Sequence, residues 1–271
     1  MESLRDTQVS QLRLSPVTSG DQRVTLLTDD GVGIDAMYSP STRRKPSGGA
    51  GLAIVIAHGF TGTLERPAVR RAAEVLADFG GVVTFSFRGH GRSGGRSTVG
   101  DREVLDLDAA VRWARLLGHG RIATVGFSMG GSVVLRHAAG PDAPVGAVVS
   151  VSAPARWYYR GTAPMRRVHW AVTRPAGRLV SRVGFRTRIH PGGWDPVPRS
   201  PVESVPLIRA PLLIVHGDRD GYFPLDHPHS LAAASADGSA ELWVEPGFGH
   251  AEDAADEELL RRIGGWLGAR G

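Results

Sequence analysis

The sequence predicts an α/β fold: a mostly parallel sheet covered by helices on both faces and preceded by an antiparallel hairpin. Three observations carry that expectation. Short runs that are apolar at every position alternate with stretches of helical period, the pattern of strands buried on both faces and joined by crossover helices. Residues 22–39 instead alternate around Asp29-Asp30-Gly31, a turn sequence between two half-buried strands. At Gly126-Phe127-Ser128-Met129-Gly130 an apolar strand passes directly into a helix through a glycine-flanked serine.

In chain order, the hairpin at 22–39 is followed by a polar loop, Arg43-Arg44-Lys45-Pro46-Ser47-Gly48-Gly49. Strand 51–57 then leads to a helix within 65–79, strand 82–87 to a helix over 101–117, and strand 121–126 to a helix over 129–139. A further strand spans 145–151. The alternation stops at 153–210 and resumes with strand 211–215, a helix near 226–235, strand 241–244 and a final helix from about 252 to 268. There are no internal repeats. The interruption reads as an insertion between sheet strands of one domain, residues 1–271, and not as a second domain.

Composition narrows the classes. With 271 residues, 41% hydrophobic and 22% charged, the chain has the balance of a soluble globular protein large enough for a sizeable core. Its longest apolar run, Gly51 to Ala57, is far short of the ~18 residues a membrane span requires. The first residues, Met1-Glu2-Ser3-Leu4-Arg5-Asp6, lack the charged-then-apolar order of a signal peptide, so a cytoplasmic location is the expectation. The absence of cysteine removes disulfides, thiol nucleophiles and thiolate metal sites together. The net charge of +5 invites a nucleic-acid reading, but the charge is localised. Residues 153–210 hold eleven arginines against Asp195 and Glu203, a balance of +9, which leaves −4 for the remainder. One insert makes the chain basic, and nucleic-acid binding is not expected.

The serine motif demands partners. Acyl transfer by a serine needs a base for its proton, an acid to orient that base and two donors for the oxyanion, all from loops at the carboxyl ends of the strands. After strand 211–215 comes His216-Gly217-Asp218-Arg219-Asp220-Gly221-Tyr222-Phe223-Pro224, with two carboxylates; after strand 241–244 comes Glu245-Pro246-Gly247-Phe248-Gly249-His250. Ser128, Asp220 and His250 therefore sit one to a loop, in the serine–acid–histidine chain order.

From about residue 22 onward the chain resembles the α/β-hydrolase superfamily, and that resemblance implies an eight-stranded, mostly parallel sheet with a helical lid. It assigns the acid to Asp220, the second carboxylate of its loop; Asp218 is read as structuring the turn and is the alternative acid. It also implies an oxyanion loop at His58-Gly59-Phe60-Thr61-Gly62, with the backbone N–H groups of Phe60 and Met129 as donors and His58 as a turn residue. His-Gly-Phe-Thr-Gly and Arg-Gly-His-Gly-Arg-Ser are similar to small serine carboxylesterases of the cinnamoyl-esterase type.

Gly89-His90-Gly91-Arg92-Ser93-Gly94 matches the glycine pattern of dinucleotide sites, but no helix opens there and the next strand ends at the serine motif, so neither a cofactor nor a metal is expected. By the same resemblance 153–210 is the lid, whose aromatic residues are suited to an acyl pocket. Trp157, Tyr158, Trp170 and, from the acid loop, Tyr222 are the candidate substrate contacts. Met165, Val168, Val172, Leu179 and Val183 fall on one helical face, with Pro175 dividing the segment into two helices. The lid arginines are read first as a water-facing surface of an arginine-biased chain; the alternative is attraction of an anionic substrate or carrier, or of an anionic membrane surface. The expected function is serine-dependent cleavage of an ester, thioester, lactone or peptide; a non-catalytic receptor on the same fold is the alternative.

Overall fold

The computed structural model describes residues 20–43, 51–141 and 145–270. The chain start and most of the polar loop at 43–49 lie outside the described residues. The elements are β1 (Gln22–Leu27), β2 (Gly33–Ser39), β3 (Leu52–Ala57), α1 (Pro67–Leu76), β4 (Gly81–Phe85), α2 (Glu103–Leu116), β5 (Arg121–Phe127), α3 (Met129–Ala138) and β6 (Ala147–Val151). Residues 153–210 carry α4 (Ala163–Thr173), α5 (Pro175–Gly184) and α6 (Pro201–Ser204). There follow β7 (Leu212–Gly217), α7 (Asp226–Ala233), β8 (Glu241–Glu245), α8 (Ala251–Ala254) and α9 (Glu257–Arg270).

Among the described residues eight strands form one sheet in the order β1-β2-β4-β3-β5-β6-β7-β8. The hairpin β1–β2 joins β4 antiparallel and every later pairing is parallel. Side chains alternate between two cores, as the period of a strand requires. Ala53, Val55 and Ala57 of β3 face the cluster with Leu107, Val111 and Val133, whereas Ile54 and Ile56 face Val69, Leu76, Ile263 and Trp266. Helices α2 and α3 thus cover one face and α1 and α9 the other, which is why β3, β5, β6 and β7 read as unbroken apolar runs.

Two expectations on helices divide differently. The break at Pro175 is present: Arg174 is extended (ψ 138°) because the proline ring disfavours the helical region for its predecessor. The single final helix is not. Ala255 is extended and Asp256 Oδ1 accepts the N–H of Leu259 at 2.8 Å, so α9 starts with its own carboxylate cap, and α8 is a separate turn after His250. Among the described residues no helix is long and apolar enough to cross a membrane.

A buried ion cluster joins the hairpin to the sheet. Arg88 follows β4 and donates to both oxygens of Asp30, at 2.7 and 3.0 Å. Its backbone N–H and guanidinium also donate to Asp106 of α2 at 2.8–2.9 Å, and the Asp106 side chain is fully enclosed. Removing the cation would strand that carboxylate. Arg88→Met is expected to destabilise the fold by about 3–5 kcal/mol, read as a lowered denaturation midpoint, with partial recovery in Arg88→Met/Asp106→Leu. An unchanged midpoint would show that the cluster contributes nothing.

Candidate active site

Parallel register places the ends of β3, β5, β6, β7 and β8 along one edge: Ala57 lies opposite Gly126, Phe127 opposite Val151 and Gly217 opposite Glu245. The loops leaving those ends carry the candidate residues. Ser128 caps α3 with φ 51°, a conformation a non-glycine residue adopts only at a cost. Its neighbours explain the glycines. A Cβ on Gly126 would lie 2.2 Å from the carbonyl oxygen of Gly130, and one on Gly130 would lie 2.2 Å from that of Ala57. The turn closes only when both positions are bare, and it is pinned by Ser128 N–H donating to Val151 O at 2.8 Å.

Ser128 Oγ lies 2.9 Å from His250 Nε2, and His250 Nδ1 lies 2.8 Å from Asp220 Oδ2. An ionised carboxylate can only accept, so Nδ1 carries the proton and Nε2 is left to accept from the serine hydroxyl. Asp220 is enclosed, and its other oxygen accepts the N–H groups of Tyr222 (2.8 Å) and Phe223 (3.0 Å). Burial pushes this carboxyl up, but the hydrogen bond and charge of His250 together with the two N–H donors outweigh it and hold it below the usual carboxylate range. Asp218 instead accepts the N–H of Gly247 at 2.7 Å, tying the two loops together.

A cavity of about 750 Å³ opens at this edge between the sheet and the insert. Ser128, His250, Phe60, Met129, Trp157, Tyr158 and Tyr222 all line it. Tyr222 stacks on the His250 ring at 4.1 Å, so it also fixes the imidazole plane. Trp157 and Tyr158 pack against Trp194, and the two indoles are anchored to the carbonyls of Pro198 and Thr98. Trp170 is a correction. It does not line the cavity but stands 47% exposed on the outside of α4, one residue out of phase with the inward-facing Val168, Ala171 and Val172. The break at Arg174 divides the apolar face read from the sequence: Met165, Val168 and Val172 line the cavity, whereas Leu179 and Val183 on α5 are exposed.

The profile of the alpha/beta hydrolase fold matches residues 53–178, from β3 through the serine motif into α5. The chain has the alpha/beta-hydrolase fold. Solved alpha/beta hydrolase structures bear the same architecture. Esterase Pf2001 of Pyrococcus furiosus superposes with a TM-score of 0.70 at 25% identity, covering 92% of this chain and 90% of that one. Est1E of Butyrivibrio proteoclasticus, solved with ferulic acid bound, gives 0.61 at 20% identity over 91% and 97%. Two uncharacterised proteins of Mycobacterium tuberculosis are each 28% identical over 262 residues, 91% of this chain and 76% of theirs.

The glycines of the Gly89–Gly94 loop make room for residues 187–190. A Cβ on Gly89 (φ 76°) would lie 2.4 Å from both Arg188 O and Ser97 N, because the strand-like stretch 187–190 threads against this loop. Sequence reasoning missed the groups that hold the site from behind. Ser152, after β6, accepts the N–H of Ala251 at 3.1 Å; Glu252 accepts the N–H of Gly59 at 2.8 Å; His90 accepts that of Thr61 at 3.3 Å. Ser152 and Glu252 lie in no motif, and His90 lies in a loop whose glycine pattern gives no sign of this bond; each acts on backbone distant in sequence. His58 is buried just after β3, with Nδ1 2.7 Å from Gly59 O and Nε2 accepting the Phe87 N–H at 3.0 Å.

Burial lowers the pKa of His58 to about 3 and, with help from Arg156 and His216, that of His227 to about 4. Both are neutral in the fold and charge in the unfolded chain below about pH 6.5, so the unfolded state binds more protons there and stability falls as pH drops from 6.5 towards 4. For His58 alone the loss at pH 5 is ~2 kcal/mol. Asp106, whose carboxyl is pushed up to about 7 by burial, contributes with the opposite sign over the same range, so the rings themselves are the readout. By NMR both imidazoles are expected to remain largely uncharged at pH 5 in the folded protein; protonation of His58 at that pH would contradict the neutral buried ring.

Proposed function

We propose that this alpha/beta hydrolase is a serine hydrolase of carboxylic esters or related acyl bonds, with residues 153–210 as a lid over the acyl pocket. The observation that carries the reading is the unbroken relay from Ser128 Oγ through His250 to Asp220, at 2.9 and 2.8 Å, on the floor of the cavity. In this scheme His250 Nε2 takes the Ser128 proton as Oγ attacks the acyl carbonyl. The carbonyl π electrons move onto its oxygen, which the Phe60 and Met129 N–H groups hold; α3 begins at Met129, where the first-turn N–H groups have no intrahelical acceptor. The imidazolium, stabilised by ionised Asp220, protonates the leaving oxygen as the carbon–oxygen bond breaks. Water then attacks the acyl-enzyme, giving its proton to His250 and releasing acid and free serine.

Support for an apolar or aromatic acyl group comes from the wall of Trp157, Tyr158, Met165 and Val168. Arg160 and Arg167 also line the cavity and favour a substrate with an anionic end. The ferulic acid bound in Est1E makes aryl esters natural members of a test panel. Chromogenic esters, neutral and carboxylate-bearing, are expected to give an initial burst of one chromophore per chain, followed by slower turnover. A folded protein that neither bursts nor turns over any ester or thioester of the panel would favour a non-catalytic ligand receptor instead.

A further inference from the structure

Helix α5 is built inside out. Ala176, Leu179, Val180 and Val183 repeat at i, i+3, i+4 and i+7, the stripe that a helix of a soluble protein turns towards its core. Here that stripe faces solvent, with Leu179 61% and Val183 76% exposed. The buried face is the opposite one, Gly177 and Ser181, and it is shaped for close approach: a Cβ on Gly177 would lie 2.5 Å from Trp170 O and 2.6 Å from Ala171 Cα. The helix is therefore committed to α4 through small residues, and rotation to bury its stripe would drive Leu179 or Val183 into the α4 backbone. Between Asp142 and Asp195 the sequence has no acidic residue and nine arginines, among them the exposed Arg174, Arg182 and Arg186 around this stripe. Exposed Trp170 adds an amphipathic ring on α4.

We propose that the α4–α5 hairpin docks on an anionic lipid membrane, with the Leu179–Val183 stripe entering the headgroup boundary and the arginines on the lipid phosphates. Charge decides between occupants. A second copy meeting this face symmetrically would bring like charge against like charge, whereas an anionic bilayer supplies both the missing carboxylate equivalents and the apolar layer. Ala171, Val172 and Phe185 of the same region line the cavity, so docking sets the cavity mouth beside the lipid plane. The inference holds whatever bond the site cleaves.

Co-sedimentation of the full chain with vesicles tests it. Binding is expected to vesicles containing phosphatidylglycerol, not to phosphatidylcholine alone, and is expected to fall with added salt. Arg174→Gln and Arg182→Gln are each expected to weaken it by about fivefold, and Leu179→Ser/Val183→Ser by about tenfold or more, with the melting temperature unchanged because both side chains are exposed. Ser128→Ala should bind as the parent does, which separates failure of docking from failure of the hydrolase reading. Lack of binding to the anionic vesicles, equal binding to phosphatidylcholine, or insensitivity to the Leu179/Val183 pair would each overturn the proposal. So would a concentration-dependent dimer, dissolved by that pair, in a protein that ignores vesicles.

Discussion

Ser128→Ala is expected to lower kcat for any ester the protein turns over by roughly 10⁵–10⁶-fold, with KM changed far less. The serine hydroxyl occupies little of a 750 Å³ cavity, so substrate binding survives its loss. Without Oγ there is no atom for His250 to activate and no acyl-enzyme to form. The residual rate then comes from substrate held against the Phe60 and Met129 N–H groups and attacked by water, which is slow because two groups must be oriented for free by the solvent. A drop of only a few fold would mean that Ser128 is not the nucleophile, whatever its distance from the imidazole.

Gly130→Ala is expected to damage stability and activity together. Its Cβ would sit 2.2 Å from Ala57 O and 2.7 Å from His58 O, both backbone atoms at the root of the 58–62 loop, so no side-chain rotation relieves the overlap. Either α3 lifts from β3, opening the core around Val133 and Val134, or the 57–60 segment moves and takes the Phe60 N–H with it. Both outcomes couple stability to activity. A loss above about 3 kcal/mol in unfolding free energy is expected, together with loss of turnover in whatever fraction still folds. Gly265→Ala, where the added atom meets nothing within 4 Å, is the matched control and should change neither.

These two positions also show why so much was legible in the sequence. A strand buried on both faces, a glycine-bare turn and a helix cannot adjoin in many ways, so Gly126 to Gly130 carries its own geometry. The loops with Asp220 and His250 are found by the rule that such groups leave the carboxyl ends of strands. What escaped has a different physical origin. Glu252 holding Gly59, and Ser152 holding Ala251, are side chains bonded to backbone across 193 and 99 residues, and no local pattern reports that. The orientation of α5 escaped for the opposite reason: its apolar period is strong, and periodicity gives the existence of a stripe but not the face that packs. Gly177 and Ser181, small enough to admit the α4 backbone, decided that. Trp170 went with it, because aromatic content marks a segment as pocket-forming without saying which rings point inward.

The relay itself is tested most directly by treating the intact protein with a fluorophosphonate, which phosphonylates only an activated serine, and locating the adduct by mass spectrometry. A single adduct on Ser128 is expected, formed much more slowly in Asp220→Asn, where the amide can no longer hold His250 in the accepting tautomer. An adduct on another residue, or a folded protein that stays unlabelled, would contradict the assignment of Ser128, His250 and Asp220 as one catalytic unit.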